Sequence, residues 1–185
     1  EEMVKTINLA LNNDDESQQV LALEMIKDIP LTPWKDSLNR LLNDGSMIVK
    51  KEILNISFDD GNIISDQKMI SLINNESDLE IESIEIAGKR KLTDALPIIM
   101  DRIDAENKEK QLIAAAAIRN IDPDSSNKEK DLLLSAFNSN DENICSLIII
   151  QMKNDNEILP DEKLIKYLNE ESSKVRNAAL SVAES

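Results

Sequence analysis

Few side chains in this chain are suited to chemistry, and none of them is a histidine. That removes the commonest general base, the commonest zinc ligand and every Ser-His or Cys-His nucleophile arrangement. The single cysteine, Cys145, stands beside Leu147, Ile148 and Ile149 with no neighbouring lysine, and reads as a buried, inert thiol. Asp122, Pro123, Asp124, Ser125 and Ser126 begin like a calcium loop. Asn127 occupies the place of the turning glycine, however, and Leu133 that of the closing bidentate glutamate, so a polar turn is expected. Asp14, Asp15, Glu16, Asp59 and Asp60 read as helix caps and turn residues. The basic run Lys89, Arg90 and Lys91 suits either a bound phosphate or acidic peptide, or the negative end of a helix. With no glycine-rich phosphate loop either, the sequence predicts no catalytic, metal or cofactor site, and hence a protein that is not an enzyme.

The elements that carry these residues follow from composition and period. Only three glycines and five prolines punctuate 185 residues, aromatic residues make up 2%, and 41% of the chain is hydrophobic. A core filled by Leu, Ile, Val, Met and Ala suits helices packed on helices, so the fold class expected is all-α. The sequence also repeats. With Gln18, Val49, Leu79, Lys110, Ile144 and Val175 as equivalent anchors, successive separations are 31, 30, 31, 34 and 31 residues, room for two short helices and two turns.

Three residues before the anchors stand Asp15, Ser46, Glu76, Asn107, Asp141 and Ser172, all but Glu76 of a type that caps a helix N-terminus. Four and five residues after the anchors, Ala22/Leu23, Ile53/Leu54, Ser83/Ile84, Ala114/Ala115, Ile148/Ile149 and Ala179/Leu180 continue one side of a 3.6-residue helix. These second helices should run over 16–29, 47–58, 77–89, 108–121, 142–153 and 173–183, each preceded by a first helix over 4–11, 34–42, 65–73, 94–103, 128–137 and 162–168. Pro33, Pro97 and Pro160 lie at or near first-helix starts, where a missing amide costs least. Approximate repeats are 1–30, 31–60, 61–91, 92–122, 123–157 and 158–185, forming a single array over 1–185.

Residues 92–121 and 170–183 resemble HEAT repeats, especially the short bacterial HEAT-like, armadillo-type kind, and the resemblance covers essentially the whole chain. It implies an α-solenoid of about six two-helix repeats in a right-handed superhelix, with second helices on the concave side. The Val-Arg pair familiar in that family appears at Val175-Arg176 and as Val49-Lys50, whereas Gln19, Glu80, Gln111 and Cys145 hold the basic position elsewhere. Residues 20–54 also resemble HEAT extensions on some bacterial transporters similar to ATP/ADP translocases.

On a helix turning 100° per residue, positions two, six and nine past each anchor should point away from the core. Among them, Glu24, Lys51, Asn55, Phe58, Ile81, Glu85, Leu112, Ala116, Arg119 and Ile150 form the candidate partner-binding surface. Ile81, Leu112 and Ile150 would serve as apolar anchors, with Glu24, Lys51, Glu85 and Arg119 setting register. The function expected is therefore a non-catalytic scaffold for a protein or peptide segment, with homodimerisation open. The alternative is a cytosolic regulatory or dimerising appendage of a transporter. With 36 acidic against 21 basic side chains, net −15, no phosphate-tracking surface for nucleic acid is expected. No apolar run approaches the roughly 20 residues needed to cross a bilayer, and a lone cysteine suits a reducing compartment, so a cytoplasmic location is expected. The absent initiator Met suggests a piece of a longer protein.

Overall fold

The computed structural model describes residues 2–103, 106–124 and 126–184, and among them all regular structure is helical. The chain divides into two compact units, Glu1–Arg90 and Lys91–Ser185. In the first unit, α1 (Glu2–Leu11), α3 (Lys35–Asp44) and α5 (Asp66–Asn75) alternate with α2 (Glu16–Ile26), α4 (Met47–Ile56) and α6 (Glu80–Lys89). In the second, α7 (Leu96–Met100), α9 (Asn127–Phe137) and α11 (Asp161–Tyr167) alternate with α8 (Lys108–Ile121), α10 (Glu142–Gln151) and α12 (Ser173–Ala183).

Most of these helices are ten or eleven residues long, below the length at which a helix is stable alone in water, so their ends and their packing decide whether they form. All five residues of capping type act as such. Asp15, Ser46, Asn107, Asp141 and Ser172 each accept from a backbone amide in the first turn of α2, α4, α8, α10 and α12. Glu76 does not: it ends α5, residues 77–79 form a turn, and α6 starts later with Leu79 before it and no side-chain cap. The prolines behave as expected. Pro33 sits in a 3-10 turn, Thr32–Trp34, that leads into α3; Pro97 lies in the first turn of α7; Pro160 precedes α11. The expected helix over 94–103 is shorter than foreseen, a 3-10 turn Thr93–Ala95 followed by α7 and then turns.

Within each unit, a helix packs on its sequence neighbour and each second helix also packs on the next: α2 on α4 and α4 on α6 in the first unit, α8 on α10 and α10 on α12 in the second. The position four past each anchor is buried in every pair, with Ala22, Ile53, Ser83, Ala114, Ile148 and Ala179 all at 1% exposure or less. Side chains one residue past the anchor tie the two helices of a pair together. Gln19 Nε2 donates to Asn13 O (2.6 Å), Gln111 Nε2 to Ile103 O (2.9 Å), Cys145 Sγ to Phe137 O (3.5 Å) and Arg176 Nη1 to Glu170 O (2.6 Å). Each reaches a carbonyl at or just past the end of the preceding first helix, where intrahelical donors have run out.

One column position lacks its partner. Ser83 Oγ in α6 is, among the described residues, the buried side-chain oxygen with no hydrogen bond. An unpaired hydroxyl forfeits its hydration on burial, so Ser83→Ala should stabilise the first unit by roughly 1 kcal/mol, read as a higher urea midpoint at unchanged slope.

Candidate partner-binding face

In the first unit the residues of the expected face are exposed or half-buried. Glu24 on α2, Lys51 and Asn55 on α4, and Phe58 just beyond α4 are exposed; Ile81 and Glu85 on α6 are half-buried. Its charges are paired with each other. Lys27 Nζ meets Glu24 at 2.5 Å, Lys51 Nζ reaches across from α4 to Glu82 on α6 at 2.6 Å, and Lys89 Nζ meets Glu85 at 2.5 Å. The Glu24 hydrogen bond, and then its charge, pushes the Lys27 ammonium above its ordinary range. Lys89 also lies 5.6 Å above the Phe58 ring centre, a cation held against the one large apolar side chain of the face that is 41% exposed.

In the second unit the expectation fails for three of its four residues. Leu112 and Ala116, expected as exposed contacts, are each 1% exposed and belong to the core with Leu133, Phe137, Ile148 and Ile149. The reason is that α8 packs on α7, α9 and α10 and is buried continuously from Leu112 to Arg119, with four successive alanines allowing close approach. Arg119 is also buried, at 4% exposure, and sets no register for a partner. Its guanidinium binds Asp155, Glu157 (2.5 Å) and Ser126 Oγ (3.5 Å), closing the end of α8 on the segment after α10. Ile150 alone of the four is exposed, at 45%.

The remaining chemistry-bearing residues resolve structurally. The Lys89, Arg90, Lys91 run is no open anion site: Arg90 donates to the carbonyls of Ser57 (2.8 Å), Phe58 and Ile64 (2.7 Å), satisfying the end of α4. Burial, the largest influence, pulls the Arg90 guanidinium below its ordinary range. Cys145 is buried, and desolvation pushes its thiol up, away from the thiolate needed for reactivity. Phe137 and Tyr167 stack at 5.0 Å with Lys163 Nζ 3.9 Å above the Phe137 ring centre, and burial pushes the Tyr167 hydroxyl up to about 12. In the turn after α8, Ser126 Oγ donates to Pro123 O at 3.1 Å, while Ser125 lies outside the described residues. Among the described residues no group of three or more His, Cys, Asp or Glu side chains is placed to share a metal ion, and no helix is long and apolar enough to cross a membrane.

Sequence reasoning missed the Arg119 cluster, because Asp155 and Glu157 lie 36 and 38 residues away. A signal was available for Leu112 and Ala116: residues 112–118 are apolar without interruption, the pattern of a helix buried on all sides.

Two outcomes follow. Leu112→Asp should unfold the second unit, costing more than about 4 kcal/mol, where an exposed position would tolerate it; circular dichroism during urea titration checks this. Lys130 and Arg119 hold the Glu157 carboxyl below its ordinary range. A depressed folded value contributes stability above the unfolded value of about 4.3, lost as pH falls through the folded one. Stability should therefore drop on acidification through the carboxylate range, and Glu157→Gln should flatten that slope slightly, the group being largely exposed.

No family model and no curated protein matches the chain. Among solved structures it is similar to an engineered protein, solved as a target of the Northeast Structural Genomics Consortium, with 18% identity over 98% of this chain and 97% of that one and a TM-score of 0.49. A likeness of that size assigns neither a family nor an activity.

Proposed function

We propose that the protein is a non-catalytic scaffold of HEAT-like two-helix repeats that holds a protein or peptide segment on the face made by the second helices of the first unit. The observation that carries this reading is the open row of α2, α4 and α6, which carries ion pairs and on which Lys89, paired with Glu85, lies over the exposed Phe58 ring. Alternation of helix pairs, second helix packed on second helix and five N-caps in one register support the repeat architecture. An apolar residue ringed by charge is how protein interfaces are commonly built, with the buried anchor supplying affinity and the rim specificity. In this reading Phe58 and Ile81 are anchors, while Glu24, Lys51, Asn55 and Glu85 set register. Ile150 is a separate exposed residue of the second unit, and Leu112, Ala116 and Arg119 have no part in recognition.

The test is capture of a binding partner by the immobilised protein, compared with Phe58→Asp and with Leu9→Asp, an equally drastic change at an exposed residue of α1. Capture should fall at least about tenfold for Phe58→Asp, the cost of losing one anchor, and stay unchanged for Leu9→Asp, with helical content equal in all three. Equal capture by both variants would sink the reading.

A further inference from the structure

Two end surfaces stand out when equivalent positions of the second helices are compared. Three and seven residues past the anchor, Ala178 and Val182 of α12 pack into the core that Ile148 and Ile149 of α10 help to build. In α6, Glu82 at the same position as Ala178 meets Lys51 of α4, so this side of a second helix faces the preceding one. On α2 the equivalent residues are Leu21 and Met25, and they are 62% and 61% exposed. The opposite side shows the converse. Five past the anchor, Leu23, Leu54, Ala115 and Ile149 are 1% exposed or less, whereas Leu180 of α12 is 47% exposed.

The α2 end thus presents the side by which second helices face a predecessor, and the α12 end leaves exposed, on the opposite side, a position that every earlier second helix buries. The two are complementary because the interior is made by surfaces of these kinds meeting, α2 on α4 and α10 on α12. We infer that a second copy of this chain docks head to tail, with Leu21 and Met25 of one copy covering Leu180 of the other. Such a contact is heterologous, so it leaves a free end on each copy and adds further copies as concentration rises. One helix pair against another is a small interface, and the −15 charge per copy opposes it, so association is weak and strengthens with salt.

Sedimentation velocity tests this with two variants altered only at exposed side chains, Leu21→Glu with Met25→Glu, and Leu180→Glu, both checked for parental helical content. The parent should rise beyond the 20.8 kDa monomer, past the dimer, as concentration and salt increase. Each variant alone should stay monomeric. Mixed, they should form a heterodimer and nothing larger, because each supplies the face the other lacks. A parent that is monomeric throughout overturns the inference. So does a Leu180→Glu variant that associates like the parent, which would mean pairing of α2 with α2, and so do variants that fail to combine on mixing.

Discussion

The constraint on which this structure depends is that its helices are too short to satisfy themselves. A helix of ten residues leaves four amides and four carbonyls without intrahelical partners, so about two in five of its backbone groups must be satisfied from outside it. The sequence meets this from both directions. Asp, Ser and Asn caps take up amides at the starts of five second helices, while side chains one past the anchor return to carbonyls at the ends of first helices. Gln, Cys and Arg are interchangeable there because the requirement is only a donor of the right reach.

The same requirement accounts for how arginine is used. Arg40 donates from α3 to Leu11 O at 2.8 Å, Arg90 closes the end of α4, and Arg176 binds Glu170 O and Glu171 O. Arg119 takes carboxylates instead, at the end of α8. A planar cation with five donors can bind several carbonyls that an ammonium would serve less completely, and it complements the negative end of the helix dipole. Basic side chains that sequence alone could assign to an anion site are in this way spent on the backbone, and the exposed cations of the α2, α4 and α6 face are lysines.

How much of this was legible in the sequence depends on the range of the interaction. N-caps and the buried position four past the anchor are local and periodic, and both were readable, as was the all-α class. Glu76 shows the limit of register: the period placed a second helix over 77–89, but Glu76 ends α5 and the turn over 77–79 delays α6 to Glu80. The candidate face was half legible. A 100° rotation tells which side of a helix opposes its own core stripe, and it placed Glu24, Lys51, Asn55 and Phe58 in solvent. It carries no information on whether a second layer covers that side. Leu112 and Lys51 occupy equivalent positions, one in the core and one exposed: α8 packs on the first helix that follows it, α9, whose Leu133 shares a core with Leu112, whereas α4 packs on α2, α3 and α6.

If the open face binds a segment as proposed, its chemistry sets the kind of segment it would take. Its ion pairs join exposed side chains, and such pairs contribute only about 0–1 kcal/mol each, so an incoming segment can exchange them for its own charges at little cost. Net affinity then rests on what water is removed from, which on this face is chiefly the Phe58 ring and the half-buried Ile81. The lysine above Phe58 adds direction to that burial, since a carboxylate approaching the ring edge would meet Lys89 while an ammonium would be repelled. On the proposed reading, a segment with an apolar side chain to cover Phe58 and charges of both signs to meet Lys51, Glu82, Glu85 and Lys89 would answer both the apolar and the electrostatic character of the face.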